Sequence, residues 1–255
     1  MPMSTSATIN ITLPKSWSEL SDEQLYYVYD LIGDSLSCEQ IRAYCFFRWS
    51  GLGIVCRYGD GYILRKNRLE CYVTGDVIAG AMQTLMFLDS MPAYPVRISC
   101  VRKHDAVDAE LRNVTFETYL TVDNLYQGYL HTQRNQLLNQ VGQILYDFEG
   151  GHFTQAEKMC IFYWWTSLKE HFSKIFPSFF VPASTPSSEN LLGNSAPIGK
   201  HLRDAMNAQI RALTKGDITK EKEVLAMDTQ RALTELDALA REAEELKRKY
   251  GNKSR

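Results

Sequence analysis

Apolar residues recur at three- and four-residue intervals through much of this chain, and the pattern is clearest between Phe116 and Phe148. This spacing places them along one side of an α-helix. The Thr115 hydroxyl is suited to cap the first turn. A glycine at position 128 costs a helix interior about 1 kcal/mol relative to alanine. We therefore predict a helix from Phe116 onward, with either a kink at Gly128 or the close approach of another backbone there.

Further helices are predicted on both sides of this stretch. Ser21 with Gln24, and Thr154 with Glu157, have the spacing of a capping box, in which two side chains satisfy the first backbone amides of a helix. The helix after Thr154 carries large apolar side chains around most of its circumference, which is typical of a central helix. Hydrophobic residues make up 45% of the chain, enough for a packed core. The predicted fold is mainly α-helical.

Strand signals are short and confined to the N-terminal half. Residues 7–14 alternate apolar and polar side chains and end at a proline, as a short edge strand does. Residues 55–58 and 62–64 flank Gly-Asp-Gly, which is typical of a tight hairpin turn. Residues 94–103 alternate again. We predict a minor β-hairpin or small sheet near residues 55–73.

A change of composition divides the chain. Residues 177–200 contain four of the eight prolines and a cluster of serines, which is typical of a linker. The residues that follow are rich in Ala, Glu, Leu, Lys and Arg. We therefore predict a mostly helical globular domain over residues 1–176, a Pro/Ser-rich linker over 177–200 and a C-terminal helical arm over 201–255.

The arm contains a heptad seam, that is, apolar positions spaced alternately by four and three residues. Its small members, such as Ala232, bury little area and weaken a self-standing dimer. The seam either folds back on the globule or lies against another helix, and the sequence leaves both open. An outward-facing tyrosine on the helix after Thr115 is a further contact candidate. The candidate protein-interaction residues are Leu225, Leu236, Leu239, Leu246 and Tyr129.

No residue pattern indicates a catalytic, cofactor-binding or metal site. The six cysteines are scattered singly, the five histidines are isolated, and the glycine-rich turns lack the rest of a phosphate-binding loop. A nucleophilic pair of Cys160 with His131 would need a thiolate inside the most apolar helix, which disfavours it. We predict a protein that is not an enzyme and has no cofactor.

The N-terminal residues also lack the basic and apolar runs of a secretory signal, and no apolar stretch reaches the roughly 18 residues of a membrane span. We expect a soluble intracellular protein with reduced thiols and no membrane partner.

A nucleic-acid-binding interpretation rests on the predicted hairpin. Tyrosines alternate there with basic residues, and such side chains on a small sheet contact phosphates and stack on bases. The same charges also suit a solvated edge that resists strand-to-strand aggregation. The net charge of −2 gives no general attraction to nucleic acid, so nucleic acid is not the expected partner. The candidate residues are Arg57, Arg65, Lys66 and Arg68.

Several segments together resemble a class of viral proteins. They are "ITLPKSWSELSDEQLYYVYDLI", "VTFETYLTVDNLYQGYL", "FYWWTSLKEHFSKIFPSFF" and "NAQIRALTKGDITKEKEVLAMDTQRALTELDALARE". They are similar to proteins encoded in the structural gene clusters of tailed bacteriophages and of prophages of gut bacteria. Some of these look like tail assembly chaperones, which accompany the tape-measure protein while the tail tube is built.

This resemblance implies a non-enzymatic assembly or structural protein, either a tail assembly chaperone or a head–tail adaptor. Its implied partners are other phage structural or assembly proteins, such as a long helical tape-measure protein, or a second copy bound through the arm. Its implied location is the cytoplasm of the bacterial host or the virion.

Overall fold

The computed structural model describes residues 9–34, 36–180 and 198–251, and the fold over these ranges is mainly α-helical with a minor sheet element, as predicted. None of the helices in these ranges combines the length and the apolar character that a membrane span needs. The α-helices are α1 (Asp22–Gly33), α2 (Cys38–Ser50), α3 (Gly75–Met82), α4 (Phe116–Thr132), α5 (Asn135–Leu145), α6 (Gln155–Ile175), α7 (Ile198–Thr214), α8 (Glu221–Leu225) and α9 (Thr229–Gly251). The strands are β1 (Gly53–Tyr58), β2 (Gly61–Lys66), β3 (Leu69–Thr74), β4 (Cys100–Val101) and β5 (His104–Asp105).

The described residues form two compact units that differ from the predicted domains. One unit contains the residues up to Pro92 together with Gln155–Cys160, and the other contains Ala93–Thr154 and the described residues from Ile161 onward. The sequence predicted one globule over 1–176 and a separate arm over 201–255. Contacts instead place α7, α8 and α9 in the same unit as α4, because these helices pack on α4.

Helices α1 and α2 of the first unit both begin at capping boxes. The Gln24 amide donates to the Ser21 hydroxyl, and the Gln24 side chain accepts from the Ser21 amide, as predicted. Ser37 and Gln40 form a second box at the start of α2. Trp17 lies beneath α1, where its ring stacks on that of Tyr29 with centroids 5.8 Å apart. These caps and the buried aromatic pair fix the first helix.

The three-stranded antiparallel sheet has the order β1-β2-β3, with a bulge in β1 between Ile54 and Cys56. The hairpin turn falls at Gly59 and Asp60, inside the predicted Gly-Asp-Gly. All six residues of the edge strand β1 are exposed. Side chains alternate across a strand, so the register puts one set of residues on a single side. This outer face consists of Cys56, Tyr58, Ile63, Arg65, Glu70 and Tyr72.

Two predicted strands differ in the structure. Within residues 9–14, the described part of the segment predicted over 7–14, there is no strand. Residues 94–103 contain only the two-residue strand β4, which pairs with β5. Backbone pairing needs a partner strand, and short-range alternation alone does not supply one.

The segment Phe116–Phe148, predicted as one helix, is a helical hairpin. Helix α4 begins at its predicted cap, where the Thr118 amide donates to the Thr115 hydroxyl at 3.2 Å. It continues through Gly128 and ends at Gln133, whose φ of 55° is left-handed. A Cβ on Gly128 would lie 3.3 Å from the Leu137 Cδ1 atom of α5. Gly128 therefore makes room for a neighbouring side chain, not for another backbone.

Helix α6 supplies the largest core residues of the second unit. Trp164, Trp165, Leu168 and Phe172 are fully buried, which agrees with a central helix. A half-buried ion pair joins the Lys169 amine of α6 to the Asp123 carboxylate of α4 at 3.0 Å. Burial of the Tyr119 ring against these groups raises the pKa of its hydroxyl well above the usual value. Large buried rings and one ion pair thus join α4 to α6.

The predicted seam helix is broken in the structure. Leu225 ends α8, residues 226–228 leave the helix, and α9 starts at Thr229, so Leu225 does not lie on the helix of the other seam residues. The break occurs where Asp228 bridges to Thr115 in an antiparallel pair. Hydrogen bonds to another segment replace the helical ones at this point, so tertiary contacts override local helix preference.

The predicted linker, residues 177–200, is described only at its two ends, and residues 198–200 already belong to α7. Residues 177–180 follow α6, and the Asp237 carboxylate of α9 accepts from the backbone amides of Ser178 at 2.7 Å and Phe179 at 3.0 Å. Residues 181–197 are among those that the structure does not describe. The start of the predicted linker is thus bound to α9.

Candidate functional site

Helix α9 is anchored at its start by hydrogen bonds to the segment before α4. The Thr229 amide and hydroxyl both donate to the Val114 carbonyl at 2.8 Å. The Asp228 carboxylate accepts from the Asn113 amide at 2.8 Å and from the Arg231 amide at 3.1 Å. Asp228 thereby caps α9 as well as holding it to the neighbouring segment. The first turns of α9 are fixed to their unit.

Burial decreases steadily along α9. Leu233 is fully buried and Leu236 is 4% exposed, whereas Leu239 is half-buried. Every described residue from 241 to 250 is exposed, including Leu246 at 54% and Tyr250 at 66%. The second half of α9 therefore has an apolar side without a covering element among the described residues. We call its residues, Leu239, Ala243, Leu246 and Tyr250, the α9 stripe.

Only part of the predicted interaction set lies on this stripe. Leu239 and Leu246 belong to it, but Leu236 is part of the unit's own core and Leu225 is half-buried in α8. Tyr129, predicted to face outward, is half-buried with its ring edge against Phe162, 5.7 Å between centroids. Asp228 followed by Thr229 is a typical helix start. This signal places Leu225 before the start of α9 and so excludes it from the stripe.

A shallow apolar groove adjoins the stripe between α7 and α9. It has a volume of about 320 Å³. Gln209 lines this groove, and its side-chain oxygen is buried and has no hydrogen-bond partner among the described residues. A buried acceptor without a donor costs free energy, so a donor from outside would be stabilised there. The groove is lined by Phe179, Ala208, Gln209, Ala212, Leu236, Leu239 and Ala240.

The predicted basic hairpin does not present one charged surface. Arg65 lies on the outer face and pairs with Glu70, with a nitrogen–oxygen distance of 2.6 Å. The Lys66 amine donates to the Asn10 carbonyl at 3.1 Å on the opposite face, which also carries Arg57. Arg57 and Arg68 are exposed. Two of the four cations are thus held by groups of this chain, and the strand register separates the others.

An aromatic pair occupies the outer face. The Tyr58 and Tyr72 rings meet edge to face with centroids 6.1 Å apart, and both rings are exposed. A short hydrogen bond from the Tyr72 hydroxyl to the Asp60 carboxylate raises the pKa of the tyrosine and lowers that of the aspartate. This contact ties the hairpin turn to β3 and involves no basic side chain.

Thiol and metal chemistry find little support in the described residues. Cys160 is fully buried whereas His131 is exposed. Burial raises the pKa of the Cys45 thiol to about 12. No group of three or more His, Cys, Asp or Glu side chains in the described ranges has the geometry of a metal site.

These burials predict a sharp difference in thiol reactivity. Exposed Cys38 and Cys56 are expected to react with a maleimide in the folded protein, whereas Cys45 and Cys160 react only after unfolding, because burial blocks access of the reagent to both thiols. Peptide mapping of the labelled protein, with and without urea, measures this. Rapid labelling of Cys160 in the folded state would contradict the structure and reopen the hypothesis of a thiol enzyme.

Comparisons with protein-family models, with curated proteins and with solved structures find no match for this chain.

Proposed function

We propose that this protein is a non-enzymatic bacteriophage assembly or structural protein, a tail assembly chaperone or a head–tail adaptor, that binds other particle proteins through helical contacts. The α9 stripe is the observation that supports this proposal. Its helix is anchored by buried residues and hydrogen bonds in the first half, while Leu246 and Tyr250 remain exposed in the second half. An exposed apolar stripe on a fixed helix suits a helical partner.

The proposed partner is a particle protein with a long helix, such as a tape-measure protein, and the proposed location is the bacterial cytoplasm during assembly, or the virion. Apolar side chains of the stripe would then pack against the partner helix. Charged residues such as Glu242 and Lys249 remain at the edges of the contact. Binding of this kind depends on apolar burial, so it is expected to persist as salt concentration rises.

Leu246→Asp combined with Tyr250→Asp is expected to abolish co-purification of particle proteins, because two charges would enter the apolar contact without counter-ions. The measurement is mass spectrometry of proteins retained by the tagged full chain from its phage-producing host. Arg241→Gln with Arg248→Gln is the matched control, since it changes the net charge equally on exposed positions outside the stripe. Retention of the same particle proteins by the stripe variant would contradict the proposal.

The alternative is a nucleic-acid-binding accessory protein that uses the hairpin of residues 57–68. Exposed Arg57 and Arg68 and the exposed rings of Tyr58 and Tyr72 favour it. The pairing of Arg65 with Glu70 counts against it. Binding of DNA or RNA that weakens steeply as salt concentration rises would favour this alternative over the assembly proposal.

A further inference from the structure

The exposed half of α9 carries charges that complement a second copy of the same helix running in the opposite direction. The stripe residues occupy the a and d positions of a heptad repeat. Glu242 and Lys249 then fall at successive g positions along one edge of the stripe, and Ala240 and Lys247 fall at e positions along the other. All of these charged side chains are exposed.

One antiparallel register matches both the apolar and the charged positions. In such a pair the g edge of one helix faces the g edge of the other. Leu239 then packs on Tyr250 of the second copy, and Ala243 packs on Leu246. Glu242 meets Lys249 of the second copy, and a two-fold axis repeats this ion pair. The overlap is 12 residues, about 18 Å of helix at 1.5 Å per residue.

The neighbouring register is disfavoured by two independent features. Shifted by one heptad, the pair would place Leu236 in the interface, although this side chain is 4% exposed in the core of its own unit. The shift would also set Glu242 against Glu242 of the second copy, and like charges facing each other destabilise a helix pair. Burial and charge therefore select the same alignment.

The groove beside α9 contributes a hydrogen-bond acceptor that suits a side chain of the second copy. In the selected register, Tyr250 of the second copy lies over Leu239, which lines the groove. The buried Gln209 oxygen in that groove has no donor within the described residues. A tyrosine hydroxyl is a hydrogen-bond donor at the end of an apolar ring, the combination that this groove lacks.

We propose that two copies of this chain associate by antiparallel pairing of residues 239–250 of α9 about a two-fold axis. This inference rests on the proposed function. When no particle protein is bound, a second copy of the chain covers the α9 stripe. Interfaces of this size are small, so the dimer dissociates readily and leaves the stripe available to another helix.

Charge exchange tests the register directly. Glu242→Lys alone sets two ammonium groups against each other at each g–g contact, and Lys249→Glu alone sets two carboxylates against each other there. Each single variant is therefore expected to dimerise with a dissociation constant about tenfold weaker than wild type. When the two variants are mixed in equal amounts, a pair of unlike copies sets an ammonium group against a carboxylate at both g–g contacts and is expected to form as tightly as the wild-type dimer.

The double variant Glu242→Lys with Lys249→Glu supplies the rescue, because it exchanges the two charges and restores both ion pairs with reversed polarity. It is expected to dimerise as tightly as wild type, although each of its component substitutions alone weakens the dimer. Sedimentation velocity of the full chain over a concentration series measures the dissociation constants of the wild type, the two single variants and the double variant.

Lys247→Glu is the matched control because it makes the same charge change two residues away from Lys249, at a position that faces Ala240 in the selected register. It is expected to dimerise like wild type. A parallel pair would instead place Glu242 against Lys247, so weakening by Lys247→Glu would overturn the proposal. Two other results would also overturn it: a double variant as weak as its single components, or a wild-type chain that remains monomeric at the highest concentration that stays in solution.

Failure of this inference is separable from failure of the proposed function. A monomeric wild-type chain whose Leu246→Asp, Tyr250→Asp variant loses particle proteins would overturn the dimer and leave the assembly proposal standing. A dimer that responds to charge exchange as expected, in a protein that retains no particle protein, would support the dimer and contradict the assembly proposal.

Discussion

Leu236→Asp is expected to lower the free energy of unfolding by several kcal/mol, a large part of the roughly 5–15 kcal/mol that holds a typical domain together. The Leu236 side chain is 4% exposed and lies beside fully buried Leu233 on the packed half of α9. A carboxylate there would lose its hydration without gaining a counter-ion. Urea unfolding followed by far-UV circular dichroism measures the loss.

Leu246→Asp is the matched control for this substitution. It makes the same chemical change ten residues further along α9, where the leucine is 54% exposed, and is expected to change the stability of the monomer by no more than about 0.5 kcal/mol. Both variants are compared at a protein concentration at which the wild type is monomeric. Equal destabilisation by the two substitutions would mean that the burial gradient along α9 is wrong.

Trp164→Ala is expected to cost about 3–5 kcal/mol of stability, the range for large aromatic side chains removed from a core. The ring is fully buried, its Nε1 atom donates to the Ala109 carbonyl at 2.9 Å, and the Arg97 guanidinium lies over it, 5.9 Å from the ring centroid. Removal of the ring leaves a cavity, deprives the Ala109 carbonyl of its hydrogen-bond donor and takes away the aromatic face over which the Arg97 guanidinium lies. Thermal and urea unfolding give the change in free energy.

Tyr44→Ala provides the comparison for this truncation. It also removes an aromatic ring from a helix, but that ring is 52% exposed, so well under half of the Trp164 effect is expected. A Trp164 variant as stable as the Tyr44 variant would show that the buried side chains of α6 contribute little to the stability of the second unit.

Local sequence signals predicted helix starts well because the interactions that cap a helix are local. The Ser21–Gln24 box and the Thr115 cap both depend on residues three positions apart, and both are present in the structure. The turn at Gly59 was equally local. The mainly helical fold follows from many such signals, each of which can be read within one turn of the chain.

Contacts between distant segments could not be predicted from the same patterns. The heptad spacing runs without interruption through Leu225, yet the chain leaves the helix at residues 226–228 to pair with Thr115. Spacing likewise placed Leu236, Leu239 and Leu246 on one seam without indicating that the first is covered by its own unit and the last is not. The candidate surface therefore required the burial of each seam residue, which depends on tertiary packing.

The bridge between Thr115 and Asp228 also determines when the second unit can form. Thr229 and Val114, joined by two hydrogen bonds, are 115 residues apart in the chain. A nascent polypeptide that has exposed α4 outside the ribosome must wait until α9 has been synthesised and released before these bonds close. Contacts of such long sequence separation form late and slowly. The α9 stripe is therefore presented in its anchored form only by chains already made through α9, so incomplete translation products would not compete for the proposed partner.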